Sequence, residues 1–214
     1  MGLVKPKKFL GQHFLRDLGI ANDIADTVDA CPNLPVLEVG PGMGVLTQFL
    51  MKKGREVKVV ELDFESVAYL KENFSALEGH IIEDDFLKLK LENIFEGKPF
   101  VLTGNYPYNI SSQIFFKMLD YKDLIPCCTG MIQKEVAERM QAGPKDKEYG
   151  ALSVAVQYYC DANLDMIVQP SCFMPRPKVA SAVITLKVLP ERKVKTVDEK
   201  LFFHIVKCAF GQRR

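Results

Sequence analysis

Glu38-Val39-Gly40-Pro41-Gly42-Met43-Gly44-Val45-Leu46-Thr47 is the stretch on which the fold turns. It continues the apolar pair Val36-Leu37 and runs into Val45, Leu46, Phe49 and Leu50 at helical spacing, so it reads as a strand passing through glycines into a helix. Glycines at such a junction let the chain turn sharply and lie close to a ligand, where a Cβ would collide. Outward from it the pattern repeats. Residues 57–61, 80–83 and 100–103 read as further short strands, and Val67, Leu70 and Phe74 mark a helix between two of them. Repeated βαβ units predict an α/β fold, a mostly parallel sheet with helices on both faces. Strands at 127–132, around 156–168 and at 182–188 bring the sheet to seven. The last two, joined through the proline-rich residues 170–177, predict an antiparallel pair at the sheet edge.

The chain has 214 residues, 48% of them hydrophobic and 26% charged, which fits a packed globular chain and excludes global disorder. No apolar run approaches the ~20 residues that span a bilayer. Lys5, Lys7 and Lys8 are not followed by the apolar run of a secretion signal, so a cytosolic protein without a membrane partner is expected. Six cysteines include no C-x-x-C pair and only three histidines accompany them, which predicts reduced, packed thiols and no structural metal. The formal charge of +1 conceals an asymmetry. Residues 173–214 hold ten Lys/Arg against three Asp/Glu, the kind of basic segment that neutralises phosphates.

A dinucleotide loop requires G-x-G-x-x-G, and the register fails here, since the last position falls on Val45 or Thr47. The spacing E-x-G-x-G-x-G suits a ligand with a nucleoside and no pyrophosphate, and S-adenosylmethionine is the leading candidate. The second strand ends at Glu61-Leu62-Asp63, about the ~20 residues downstream at which a carboxylate grips ribose hydroxyls. The third ends at Asp84-Asp85-Phe86, an acidic acceptor for an adenine amine beside an apolar cover. All three sets fall at the carboxyl ends of expected strands, where open α/β sheets bind ligands.

After the fourth strand comes Asn105-Tyr106-Pro107-Tyr108. The lone pair of an adenine amine is delocalised into the ring. An Asn oxygen and a main-chain carbonyl held by the following proline can accept its two hydrogens and favour a pyramidal, nucleophilic nitrogen. Tyr108 would lie flat on the base, a contact worth about 1–3 kcal/mol. These residues suit an RNA adenine methylase. They also suit a methylase of DNA adenine or of a glutamine amide, or an RNA-binding assembly factor in which methylation is secondary. The basic tail and Phe173 favour a base over an amide.

With these motifs the sequence resembles the bacterial small-subunit ribosomal RNA adenine N6,N6-dimethyltransferases. The likeness covers nearly the whole chain. It rests on residues 7–15, 38–47 and 61–63, on Asp85, and on residues 105–111, 173–179 and 210–214. It implies a class I Rossmann-like methyltransferase domain over residues 1–189, with residues 190–214 the linker and first helix of a shortened, RNA-docking helical domain. It implies cofactor contacts from His13 and Leu15, with Gln12 nearby. Gly40 and Gly42 would meet the methionine end, Glu61 the ribose and Asp85 the adenine, and Asn105 would stand between cofactor and target. Phe173 would stack on a flipped adenine opposite Tyr108. The implied substrate is a pair of adjacent adenosines in a hairpin loop near the 3′ end of the small-subunit RNA, met by a monomer on the assembling subunit. The large-subunit resistance methylases share the motifs and are the alternative within the family. Tyr106 stands where relatives often have Leu, and His13 where several have Asn.

Overall fold

The computed structural model describes residues 4–7, 10–192, 196 and 198–211. Lys8 and Phe9 of the N-terminal motif, much of the basic linker and the terminal residues 212–214 lie outside the described residues. In chain order the elements are β1 (Phe14–Leu15), α1 (Leu18–Asp26), β2 (Val36–Val39), α2 (Thr47–Leu50), β3 (Val57–Val60), α3 (Phe64–Asn73), β4 (Ile81–Ile82) and β5 (Val101–Thr103). There follow α4 (Ser111–Asp120), β6 (Cys127–Gln133), α5 (Lys134–Gln141), α6 (Ala151–Tyr159), β7 (Cys160–Val168), β8 (Phe173–Met174), β9 (Ser181–Val188) and α7 (Glu199–Gly211).

Seven strands form one sheet in the order β4-β3-β2-β5-β6-β9-β7. From β4 to β6 all pairings are parallel, and β9 runs antiparallel to both of its neighbours. The edge strand β7 therefore pairs antiparallel, as the short proline-rich connection predicts. The strand that opposes the rest of the sheet is β9, one place in. From β2 the chain builds β3 and β4 on one side, then crosses to β5 and β6 on the other. That reversal opens a crevice between the carboxyl ends of β2 and β5.

Both faces are covered, and every residue of β2 and β5 is buried, Glu38 and Thr103 included. On one face Ile24, Leu50 and Leu70 from α1, α2 and α3 pack on Val36, Val59 and Val101. On the other, Ile114, Phe115 and Met118 of α4 join Met140 of α5 and Val156 of α6 over Leu102 and Ile184. Each such fully buried side chain contributes about 1.5–3 kcal/mol. Asp17 caps α1 by accepting from the N–H groups of Gly19 and Ile20 at 3.0 and 3.1 Å.

Two segments depart from the sequence reading. The strand expected around residues 156–168 begins at Cys160, because Leu152, Ala155, Val156 and Tyr159 recur at helical spacing and pack α6 on the core. That burial overrides the strand preference of the Val and Tyr residues. The second is a two-stranded sheet, β1 with β8, in which Leu15 faces Phe173 and Phe14 faces Met174. Two-residue strands carry no periodicity to read. Helix α7 docks on α6: the hydroxyls of Tyr158 and Tyr159 donate to the two Glu199 oxygens at 3.0 Å each, and the Arg192 guanidinium lies 4.6 Å from the centre of the Tyr159 ring.

Candidate active site

The crevice beyond β2, β3, β4 and β5 is a cavity roofed by residues 10–14. Its lining includes His13, Gly40, Gly42, Glu61, Asp85, Asn105, Tyr106, Pro107 and Tyr108. The turn after β2 is shaped by Gly42, with φ of +55°, where a Cβ would lie 2.9 Å from the Phe14 ring. The Gly42 N–H donates to Glu61 Oε2 at 3.0 Å, and the Asp63 N–H to Glu61 Oε1 at 2.9 Å. Burial raises the Glu61 pKa, and these backbone donors oppose the rise. Each carboxylate oxygen keeps a further lone pair, so Glu61 can still accept from a pair of hydroxyls at the cavity wall.

Glu38, first residue of the glycine motif, does not line the cavity. It is buried, and the Thr47 hydroxyl donates to its Oε2 at 2.7 Å, which ties the end of β2 to the start of α2. Burial, reinforced by Glu61, pushes its pKa up to about 8. Asp85 follows β4, with Oδ1 accepting from the Leu87 N–H at 3.0 Å and Oδ2 3.4 Å from Lys88 Nζ.

The tetrad is held by the sheet. The Tyr106 N–H donates to the Met131 carbonyl at 3.0 Å and the Met131 N–H to the Gly104 carbonyl at 2.9 Å, which extends the β5–β6 pairing one step past β5. That approach requires Gly130, with φ of +132°, where a Cβ would lie 2.4 Å from the Gly104 carbonyl oxygen. The Tyr106 ring points into the core, edge-on to Phe115 with centroids 5.5 Å apart, and its hydroxyl donates to the Thr129 carbonyl at 2.7 Å. Its side chain is thus an anchor, and what it brings to the cavity is backbone.

Asn105 Nδ2 donates to the His13 carbonyl at 2.9 Å. A carbonyl can only accept, so the amide is oriented with Oδ1 as its other end. The His13 ring lies 5.1 Å from the Tyr108 ring, tilted by 33°, and its Nδ1 is 2.8 Å from the Pro175 carbonyl. By the same logic Nδ1 carries the proton. The Tyr108 hydroxyl pairs with the hydroxyl of buried Ser181.

Leu15 and Phe173 stand apart from this set. Leu15 is 4% exposed and Phe173 3%, and both pack in the core beneath β1 and β8. Neither residue lines the cavity; the cofactor contact expected of Leu15 and the stacking expected of Phe173 on a base remain what the resemblance implies. Facing each other across the β1–β8 pair, the two side chains are drawn into the interior. The roof is fastened instead by Lys7, whose ammonium pairs with Asp63, and by Gln12 Nε2, 3.3 Å from the same carboxylate. Burial alone would raise the Asp63 pKa, but Lys7 and Gln12 outweigh it and the net direction is down.

Sequence reasoning missed Gly130, Ser181 and the Asp63 latch. Gly130 was visible as a glycine inside an apolar strand, a sign of close backbone approach. The other two depend on contacts between distant segments. Among the described residues no group of three or more His, Cys, Asp or Glu side chains is arranged to hold a metal, and no helix is long and apolar enough to cross a membrane. Cys127, Cys128 and Cys160 are buried on strands, where burial pushes the Cys128 and Cys160 thiols each up to about 12.

The ligand crevice of such a sheet, lined here by glycines, acidic side chains and an Asn-Tyr-Pro-Tyr tetrad, places the protein in the class of Rossmann-like methyltransferases. The model of the ribosomal RNA adenine dimethylase family matches residues 4–214, and the chain belongs to that family. It is 71% identical over 214 residues to the Ribosomal RNA small subunit methyltransferase A of Phocaeicola vulgatus, covering all of this chain and 76% of that one. A solved dimethyladenosine transferase from Plasmodium falciparum is similar with a TM-score of 0.78 and 30% identity, over 94% of this chain and 72% of that one. The 23S rRNA methyltransferase ErmE is similar with a TM-score of 0.73 and 30% identity, over 92% and 79%.

Proposed function

We propose that this protein transfers methyl groups from S-adenosylmethionine to the N6 amines of two adjacent adenosines in a hairpin loop near the 3′ end of small-subunit (16S) ribosomal RNA, during assembly of that subunit. Its family and its 71% identity to a small-subunit methyltransferase support the substrate. The single observation that carries the chemistry is the Asn105 amide, whose nitrogen is occupied by the His13 carbonyl so that Oδ1 is left as the acceptor.

In this reading Gly40 and Gly42 receive the methionine end of the cofactor, Glu61 its ribose and Asp85 its adenine, with His13 on the roof. A cavity with Gly40 and Gly42 on one wall and the Glu61 and Asp85 carboxylates beyond them fits such a group. When bound, the cofactor supplies a methyl group on a sulfonium sulfur that departs as a neutral thioether. Asn105 Oδ1 and the Tyr106 carbonyl accept the two amine hydrogens, turn the nitrogen lone pair toward the methyl, and steady the positive charge that develops on nitrogen. The proton released passes to water. Pro107 fixes the direction of the Tyr106 carbonyl, and Tyr108 stacks on the base. We assign residues 190–214 to the start of an RNA-docking segment, and we expect the protein to act as a cytosolic monomer.

A large-subunit target is the second reading, favoured by the likeness to ErmE. Labelled methyl transfer to unmodified small subunits, with large subunits as the control, separates the two. Label confined to the small subunit is expected, and label confined to the large subunit overturns the assignment.

A further inference from the structure

We propose that Lys117 is a positioning residue for the cofactor's adenine, acting through the loop that carries Asp85. The inference rests on the reading that this loop receives the adenine.

Lys117 lies in the last turn of α4, and its ammonium reaches out of the helix to the loop after β4. Nζ donates to the Leu87 carbonyl at 3.0 Å and to the Leu89 carbonyl at 2.5 Å, and sits 5.6 Å from the centres of both the Phe86 and Tyr121 rings. Leu87 in turn gives its N–H to Asp85 Oδ1 at 3.0 Å. One residue of the loop is thus gripped through its carbonyl by Lys117 while its N–H sets the aim of the Asp85 carboxylate. Asp84, Asp85, Phe86 and Leu87 all line the cavity.

Phe86 packs into the core with Leu87 and Leu89 against it, and apart from Lys117 the loop's polar ties are few. Its own turn is closed by the Lys88 N–H on the Asp85 carbonyl at 2.9 Å and by a long 3.4 Å contact from the Leu89 N–H to the Phe86 carbonyl. Burial pulls the Lys117 pKa below its ordinary value, with Asp85 opposing, as befits a partly desolvated ammonium whose donors are taken up by carbonyls. The same helix starts just after the Asn105–Tyr108 tetrad. Ser111 and Lys117 are six residues apart, about 9 Å along the axis. A single rigid element therefore supports the target-amine clamp at one end and the adenine loop at the other.

A lysine near a helix C-terminus is also favourable to the helix itself. The test must therefore read purine recognition. An aimed Asp85 carboxylate accepts from the adenine amine and repels the hypoxanthine oxygen, so the preference for S-adenosylhomocysteine over S-inosylhomocysteine reports the aim of the loop.

The experiment is calorimetric titration of both ligands into the full chain, as wild type and as Lys117→Met, Lys117→Arg, Lys117→Gln and Asp85→Ala. We expect Lys117→Met to weaken S-adenosylhomocysteine about tenfold and shrink the adenosyl-over-inosyl preference, with kcat at saturating cofactor within about twofold of wild type. Lys117→Arg should recover most of both constants. If Lys117→Met does not fold, Lys117→Gln decides, with an intermediate loss of the same preference expected. Unchanged affinity and preference in the folded variant, or equal weakening of both nucleosides, overturns the proposal. If Asp85→Ala leaves S-adenosylhomocysteine binding intact, the cofactor reading itself fails, independently of Lys117.

Discussion

On the cofactor side of the cavity, Glu61 is held by N–H groups 19 and two residues away in the chain. On the target side, Asn105 is held by a carbonyl 92 residues away and Tyr108 by a hydroxyl 73 residues away. The anchorage of Glu61 is built inside consecutive βα units, and only the roof above it comes from residues 10–14. The target half needs the N-terminal segment, β5, β6 and β9 to be in place together. Damage to distant segments should therefore fall on transfer before it falls on cofactor binding.

The largest test of that contrast is Asn105→Ala. It removes the acceptor for the amine but none of the contacts to Glu61, so kcat should fall by about 100-fold or more while S-adenosylhomocysteine affinity stays within about threefold. Equal losses in both would erase the distinction between the halves. Next comes Gly130→Ala, which forces a Cβ to within 2.4 Å of the Gly104 carbonyl at a φ of +132°. Chemical denaturation should show a loss of about 3 kcal/mol, with the surviving folded protein poorer in turnover than in cofactor binding.

Glu38→Gln probes the cofactor half through pH. The folded-state pKa of about 8 stands above the ordinary value of 4.5, so folding takes up a proton between those limits. The contribution of Glu38 to stability is thus most favourable below about pH 4.5 and declines as pH rises toward 8, by something of the order of a few kcal/mol. Urea unfolding from pH 5 to 9 should show this slope in the wild type and a flatter profile in Glu38→Gln. The smallest effect is expected for Phe173→Leu. A ring packed in the core predicts a stability loss of about 1–1.5 kcal/mol and a kcat/KM for RNA within about threefold. A stacking ring would instead lose about 1–3 kcal/mol of RNA-dependent activity with little change in stability.

The same contrast explains what was legible in the sequence. Gly40, Gly42, Glu61 and Asp85 could be read because each sits at the end of a short apolar strand, at a spacing that the βα unit imposes, and all four line the cavity. Asn105 and Tyr108 could be read from one local tetrad, and they too line it. Phe173 and Leu15 belong to motifs whose neighbours reach the cavity, and they themselves are buried beside it. Their burial follows from a two-residue pairing between segments about 160 positions apart, which no local pattern records. The C-terminal part of α6 falls within the stretch that reads as strand, and the packing of Leu152, Ala155, Val156 and Tyr159 on the core makes it helix. Lys117 and Ser181 left no signal, since a lysine on a helix and a serine opening a strand are ordinary until the fold brings their partners to them.

The central claim is that an adenine amine is gripped by the Asn105 side-chain oxygen and the Tyr106 carbonyl while Tyr108 covers the base. The most direct measurement is a crystal structure with S-adenosylhomocysteine and an adenosine-containing RNA fragment bound together. The account predicts the adenine N6 within about 3.2 Å of both oxygens and its ring parallel to Tyr108. An N6 hydrogen-bonded elsewhere, with the Asn105 amide still facing only His13, would contradict it.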